Sequence, residues 1–326
     1  EVYLATVKGV TSSDLNNLTP ILRVSNGATV SPALGEPQNF NEPVSYTITS
    51  EDEVVQHTYV FKIFDRPEVE SFDNWVVADP SLRPEGQYLI PQELNKIYSW
   101  TSLDQTYANL MHNPTTSDYE KEPLKPVDQF CVQPVADAVS GRAAQVMTQK
   151  ARAQELYKVP SILSGMLYTG VYGYKEAELT PQALFGVPFH YKPQSLKFSY
   201  KYTKGSIYYE TLLPNSPYQV EEVNRDNQFI VRAVLYKVNN RFNLASRLTY
   251  EELFTSTNIV ATAELVSSVD KSSYTTVDIP FTYSADYSYQ SEYQLALMIS
   301  SSTENQIYSG APGSTLLLDN LEIVVE

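Results

Sequence analysis

Along residues 2–64 apolar and polar positions alternate in short segments separated by turn residues. Val44, Tyr46 and Ile48 fall on one side and Ser45, Thr47 and Thr49 on the other, which predicts a strand with one wet face. A polar turn at residues 50–53 leads into residues 58–64, where Tyr59, Phe61 and Ile63 alternate with Val60 and Lys62. The two segments therefore predict a hairpin that closes a first domain. Asp65-Arg66-Pro67-Glu68 follows, with charge and a proline that cannot donate to a ladder, and it marks the expected boundary between domains 1–66 and 67–326.

Residues 80–134 are rich in proline and polar residues. Their apolar clusters are too short for helices, so long ordered loops between short strands are expected there. Residues 143–157 contain Ala, Gln, Met, Lys, Arg and Glu without Gly or Pro and favour helix, although residues 143–148 read equally well as a strand. Strand patterns resume after Pro160. Leu196, Phe198, Tyr200 and Tyr202 alternate with Lys197, Ser199 and Lys201, and similar runs occupy 229–238, 259–266, 275–283, 293–300 and 315–325. Successive strands with no intervening helices predict an all-β chain built on antiparallel sandwiches. No internal repeat or low-complexity tract interrupts them.

Length agrees with this division, since 326 residues exceed one comfortable core. A formal charge of −15 repels phosphate backbones and anionic lipid surfaces, so nucleic acid is not an expected partner. With one cysteine, Cys131, there is no disulfide framework, and His57, His112 and His190 are too scattered for a zinc site. Residues 1–10 lack the basic and apolar regions of a signal peptide, and no apolar run approaches the ~20 residues of a membrane span. Any export signal is expected upstream. The compositional oddity is 25 tyrosines beside 12 phenylalanines and 2 tryptophans, a usage that suits both half-buried strands and sugar-facing surfaces.

Four ordered motifs resemble a known family. They are Ser140-Gly141-Arg142-Ala143-Ala144; Ser164-Gly165-Met166-Leu167-Tyr168-Thr169-Gly170; and Phe185-Gly186-Val187-Pro188-Phe189-His190-Tyr191-Lys192-Pro193 leading to Tyr200-Lys201-Tyr202. The fourth joins Ile299-Ser300-Ser301-Ser302 to Tyr308-Ser309-Gly310-Ala311-Pro312-Gly313-Ser314-Thr315-Leu316-Leu317-Leu318-Asp319-Asn320-Leu321. Together they are similar to the putative carbohydrate metabolism domain of envelope lipoproteins from gut anaerobes. Val24-Ser25-Asn26-Gly27-Ala28-Thr29-Val30-Ser31-Pro32 and Tyr46-Thr47-Ile48-Thr49-Ser50-Glu51-Asp52 resemble the immunoglobulin-like modules that act as N-terminal spacers in such proteins. The resemblance implies an immunoglobulin-like sandwich followed by a larger jelly-roll similar to carbohydrate-binding modules. It also implies an extracytoplasmic lipoprotein anchored through an acylated cysteine upstream, with poly- or oligosaccharide and outer-membrane glycan-uptake proteins as partners.

Sugar recognition needs rings for the apolar faces of pyranoses and polar groups for the hydroxyls. The candidates are Trp100, in a loop-like segment that suits the surface; Tyr168, Tyr172 and Tyr174, which share one strand face as core or as binding stripe; and Phe189, His190 and Tyr191. Trp75 is a further ring candidate, or with Phe72 a core residue of the first jelly-roll strand. Arg142 and Lys201, in the family-like motifs, could bond sugar hydroxyls or form a structural ion pair. Jelly-roll modules often hold one calcium ion, for which Glu68, Glu70, Asp73 and Asp319 offer oxygens, unless Asp319 bonds loop amides instead. No other cofactor is implied.

Glycoside hydrolysis would need two carboxyls. Glu176, Glu178, Glu210, Glu221, Glu222, Asp226 and Asp286 are available, but nothing singles out a pair. The chain has no G-x-S-x-G elbow, H-E-x-x-H helix, phosphate loop or G-x-G-x-x-G turn. A glycan-binding or glycan-utilisation accessory protein is the leading expectation. A two-carboxylate hydrolase and a structural or adhesive surface protein are the alternatives.

Overall fold

The structure is a computed structural model describing residues 2–5, 17–40, 44–63, 69–81, 87–92, 99–111, 129–151, 160–173, 182–212, 219–241, 243–288, 291–304 and 308–326. It divides into two compact units, Glu1–Arg66 with Glu326, and Pro67–Val325. The expected linker at residues 65–68 lies outside the described residues.

The first unit contains β1 (Val2–Ala5), β2 (Thr29–Ser31), β3 (Val44–Thr49) and β4 (Gln56–Ile63), ordered β1-β4-β3-β2. The expected hairpin is β3–β4, antiparallel with Tyr46 opposite Tyr59, while β1 runs parallel to β4. Tyr46 and Phe40 are buried among Leu18, Leu22, Val30, Val44 and Phe61, a small core on one face of the sheet. The second sheet of an immunoglobulin-like sandwich is not among the described residues.

The second unit begins with β5 (Trp75–Val77), β6 (Leu89–Pro91), β7 (Trp100–Ser102), α1 (Asp104–Met111), β8 (Val132–Val135) and β9 (Ala143–Lys150). It continues with β10 (Ile162–Ser164), β11 (Met166–Gly173), β12 (Gln182–Phe185), β13 (Val187–Phe189), β14 (Pro193–Thr203), β15 (Tyr208–Thr211) and β16 (Val220–Val223). Then come β17 (Phe229–Val238), a 3-10 turn (Leu244–Ser246), α2 (Glu252–Thr255), β18 (Ile259–Ser267), β19 (Lys271–Pro280), β20 (Thr282–Tyr283), β21 (Glu292–Ser300) and β22 (Thr315–Val325).

Two large sheets pack face to face. One is ordered β10-β9-β22-β14-β19 with β8 beside β9; the other is β12-β11-β21-β17-β18-β20 with β13 beside β21 and β7 beside β11. The chain passes from the second sheet at β18 to the first at β19, returns for β20 and β21, and crosses again to β22, the sheet-switching path of a jelly roll. Leu196, Phe198, Tyr200 and Tyr202 from β14 meet Val231, Ala233 and Leu235 from β17 and Leu295, Leu297 and Ile299 from β21. The alternation read along residues 196–202 is thus the inner and outer faces of β14.

Strand β17 alternates less because both of its faces are covered. Ile230, Val234 and Tyr236 face outward onto a second cluster, with Leu248 and Leu253 from the segment around α2. Residues 143–150 are a strand in spite of their helix propensity, since pairing with β8, β10 and β22 buries Ala144 and Val146 and tertiary packing outweighs a weak local preference. Residues 152–157 lie outside the described residues. One helix, α1, occupies the proline-rich stretch where none was expected, and it starts at a pinned residue. The Asp104 carboxylate accepts the amides of Cys131 at 3.0 Å and Val132 at 2.8 Å, fastening α1 to β8.

The family-like motifs serve the scaffold. The loop at residues 136–142 is held by Asp319, which accepts the amides of Val139 (2.8 Å) and Ser140 (3.3 Å), and by Asp73, which accepts that of Arg142 at 2.8 Å. Gly141 (φ +61°) has no room for a side chain, because a Cβ would lie 1.7 Å from an Asp73 oxygen. Elsewhere in the same unit, Ser300, Ser301, Ser302, Ser309, Ser314, Ser164, Thr148 and Asn227 are all buried, and their hydroxyls and amide are bonded to one another or to backbone. Buried polar groups of this kind are stable only when satisfied, and these are.

A tyrosine-bordered surface at one end of the sandwich

The turn from β12 to β14 builds one wall. Gly186 (φ +125°) joins β12 to β13, where a Cβ would stand 1.9 Å from the Tyr236 hydroxyl oxygen, so glycine is required. Phe189 then enters the core and Tyr191 turns outward, half-buried, with its ring set edge-on to Phe189 at 6.2 Å. His190 lies between them, 6% exposed.

Arg241, just beyond β17, is the hub. Its Nη1 lies against the His190 ring at Nδ1. Its Nη2 donates to Glu292 Oε1 at 2.8 Å, and its carbonyl accepts from Gln294 Nε2 at 2.7 Å. Burial lowers the proton affinity of the guanidinium and Glu292 opposes that loss, so the ion pair keeps a half-buried charge in place.

Two further tyrosines close the border. Tyr287 stacks on Tyr293 (4.8 Å between centroids, 15° between planes) and donates from its hydroxyl to the His190 carbonyl at 3.1 Å. Tyr283 donates to the Pro193 carbonyl at 2.7 Å, with Lys192 Nζ 5.9 Å from its ring centroid. Tyr191, Tyr283 and Tyr287 are each half-buried against the core, with Lys192 and Glu292 beside them. Fixed rings next to fixed charges can cover an apolar face and bond its polar fringe.

Of the sequence candidates among the described residues, only His190 and Tyr191 come together at this surface. Trp100 was expected in a surface loop. It lies in β7, 4% exposed, with its indole N–H donating to Glu70 Oε2 at 3.0 Å and its ring against Phe72 at 5.7 Å, because a short strand beside β11 carries it into the core. Tyr168 is fully buried against Phe185, and its hydroxyl has no hydrogen-bond partner among the described residues. Tyr172 is half-buried on the same strand, and Tyr174 is outside the described residues. Arg142 is exposed, while Lys201 pairs with Asp137 at 2.6 Å and lies over the Tyr274 ring, 4.9 Å from its centroid.

The oxygens offered for calcium are already engaged by N–H donors. Glu70 accepts Phe72 N–H and the Trp100 indole, and Asp319 accepts the amides at 139, 140 and 320; Glu68 is outside the described residues. Among the described residues no cluster of three or more His, Cys, Asp or Glu could hold a metal ion. Burial raises the pKa of Glu70 and Asp319, and raises that of Asp104 to about 7. Of the surface acids, Asp226 pairs with Lys204 at 2.9 Å, Glu222 accepts from the Tyr209 hydroxyl at 3.2 Å, Glu210 and Glu221 are cross-strand neighbours, and Asp286 is exposed; Glu176 and Glu178 are outside the described residues. Sequence reasoning missed Arg241, Tyr283, Tyr287 and Glu292. The tyrosine density of residues 283–293 was the available signal for three of them, whereas nothing in the sequence marks Arg241.

Residues 71–324 match the family described as the Putative carbohydrate metabolism domain, and the chain belongs to that family. Residues 5–63 match the N-terminal domain of SGBP, the surface glycan-binding proteins. Its function is accordingly carbohydrate-related. Among solved structures it is similar to a putative glycoside hydrolase from Bacteroides thetaiotaomicron (22% identity, TM-score 0.59, covering 100% of this chain and 90% of that one). It is also similar to a putative glycoside hydrolase from Bacteroides vulgatus (23% identity, TM-score 0.62, covering 81% of this chain and 100% of that one). At these identities the likeness is one of fold. No curated protein matches the chain. Among the described residues no helix is long and apolar enough to cross a membrane.

Proposed function

We propose that the protein is an extracytoplasmic glycan-binding protein that holds saccharide without cleaving it, at the tyrosine-bordered end of its large sandwich. The observation that carries this reading is the set of half-buried rings Tyr191, Tyr283 and Tyr287 beside the Arg241–Glu292 pair. A pyranose offers C–H faces to such rings and hydroxyls to such charges. Two of the rings are fastened through their own hydroxyls, to the Pro193 and His190 carbonyls, so binding immobilises little that is not already fixed.

The carboxyls support binding without catalysis. Those whose proton affinity burial raises, Glu70, Asp104 and Asp319, are engaged by indole and amide N–H groups of the fold. Glu292, at the ring-lined end, is held by Arg241. The match of residues 5–63 to surface glycan-binding proteins supports the extracytoplasmic location.

A glycan array followed by calorimetry on the full chain tests the reading. Replacing Tyr191 and Tyr287 together by alanine is expected to weaken binding of the selected glycan by about tenfold or more, with no release of reducing ends by the wild type. Hydrolysis by the wild type would overturn the non-catalytic part. Failure to bind any plant, host or microbial polysaccharide would overturn the whole.

A further inference from the structure

The first unit carries a groove of its own. Antiparallel partners share a sheet face, so the pairs Tyr46–Tyr59 and Ile48–His57 place these four side chains, with Val30, on one face. Toward one end that face is core, where Tyr46 meets Phe61 edge-on at 5.6 Å beneath Phe40. Toward the β3–β4 turn the face opens. There Ile48, His57 and Tyr59 line a groove of about 510 Å³, together with Ser25, Asn26, Glu51 and Asp52.

Both walls are fixed. In the turn, Asp52 Oδ1 accepts from the Ser50 hydroxyl at 2.5 Å and the Val54 amide at 3.1 Å, while Ser50 Oγ accepts the Val55 amide at 3.0 Å. The segment that carries Ser25 and Asn26 bends at Gly27 (φ +81°) and meets the turn directly, since a Cβ on Gly27 would lie 2.5 Å from a Glu51 carboxylate oxygen. A concavity held in this way is pre-organised, and its volume lies within the ~300–1,000 Å³ usual for small-molecule sites.

Its chemistry is selective. The Tyr59 ring, partly exposed and 6.4 Å from the His57 ring, offers an apolar surface. Hydroxyl, carboxamide and carboxylate groups from Ser25, Asn26, Ser50, Glu51 and Asp52 surround it, and no lysine or arginine is among the lining residues. Two carboxylates with no lysine or arginine beside them repel uronates and sulfated sugars and accept hydrogen bonds from neutral hydroxyls. From this we infer that the groove is a second saccharide site, for a neutral oligosaccharide, on the N-terminal unit. The inference rests on the glycan-binding reading above, and places one binding event on each unit.

Calorimetry on the full chain against paired neutral and uronate-containing oligosaccharides separates the two. The expected result is two binding events for a neutral ligand. Tyr59→Ala removes one of them, with affinity there falling about tenfold or more, while the Tyr191→Ala/Tyr287→Ala chain keeps it. Because Tyr59 also borders the small core, Ala28→Trp, which fills the groove from its lining, is the second variant and is expected to abolish the same event, with circular dichroism confirming the fold. Neutral-ligand binding unchanged in both groove variants would overturn this inference and leave the sandwich reading standing. Stronger binding of the uronate ligand at the groove would also overturn it. A wild-type chain that binds neither ligand class on any array removes both readings.

Discussion

The two ends of strand β21 treat polar side chains in opposite ways. At Ser300 the chain enters a buried web of hydroxyls in which Ser301 and Thr148 share a hydrogen bond at 2.8 Å and Asn227 Nδ2 donates to the Ser301 carbonyl at 2.7 Å. At Glu292, the other end, the polar groups stand at the rim beside tyrosine rings that are only half covered. The motif-rich end consumes its polar capacity in holding the fold, and the other end presents it. Short small-residue motifs mark places where backbone approaches closely and hydroxyls must be satisfied, so they locate scaffold more reliably than a site.

The largest effect expected from this contrast belongs to Asn227. Its amide donates to the Tyr202 hydroxyl at 2.8 Å and to the Ser301 carbonyl, and its Oδ1 accepts the Ala311 amide at 3.1 Å, all in a fully buried position. Asn227→Ala strands those partners and is expected to cost ~3–5 kcal/mol of unfolding free energy by urea denaturation. The same truncation should leave glycan affinity of the folded fraction unchanged. A stability loss under ~1 kcal/mol would show that the web is dispensable.

A smaller, pH-dependent effect comes from Asp104. Its pKa rises from an ordinary 3.8 to about 7 through burial, against the opposing help of the Cys131 and Val132 amides. A carboxyl with a raised folded-state pKa favours the protonated folded form, so its stabilisation is complete below about pH 4 and is lost as pH climbs to about 7. Glu70 and Asp319 are shifted in the same direction, again chiefly by burial. Thermal midpoints are therefore expected to fall between pH 4 and 7 by an amount equivalent to a few kcal/mol, and Asp104→Asn should flatten much of that slope. A midpoint that rises over this interval would contradict the sign.

How much of this was legible follows from the kind of signal each residue carries. The strands of the sandwich were visible because one apolar and one polar face force alternation, as at residues 196–202. Strand β9 was ambiguous because Ala, Gln and Met fit a helix equally well until three neighbours claim their edges and faces. Helix α1 was hidden because its start depends on amides at residues 131 and 132, far along the chain. Trp100 misled for a related reason. A polar neighbourhood suggested solvent, whereas its partner is a buried carboxylate 30 positions away. Of the site, His190 and Tyr191 were found through a motif, and Arg241 could not be, since its role exists only once β17 and β13 flank β21.

Effects at the presenting end should be smaller in stability and larger in binding. Tyr287→Ala removes the stack on Tyr293 and the bond to the His190 carbonyl, for a stability cost of ~1–2 kcal/mol. Glycan affinity is expected to fall about tenfold at the same time. Measuring both on one sample separates the two ends: Asn227→Ala should move only the denaturation midpoint, Tyr287→Ala mainly the affinity. If Tyr287→Ala leaves affinity intact, the rings are scaffold too, and the contrast between the ends collapses.

The smallest effect expected is at Lys201, and it tests whether motif residues bind. Lys201 sits in the family-like Tyr200-Lys201-Tyr202 element, and its ammonium reaches Asp137 at 2.6 and 2.9 Å while lying over the Tyr274 ring. Its side chain is 24% exposed and that of Asp137 56%, so solvent screens the pair to less than ~1 kcal/mol. Lys201→Met keeps the stem that covers Tyr274 and is expected to change stability by only a few tenths of a kcal/mol, with glycan affinity unmoved in calorimetry. An affinity loss without a stability loss would mean that the face bearing Lys201 is where saccharide binds. The motif would then mark site as well as scaffold, and the tyrosine-bordered end would lose its claim.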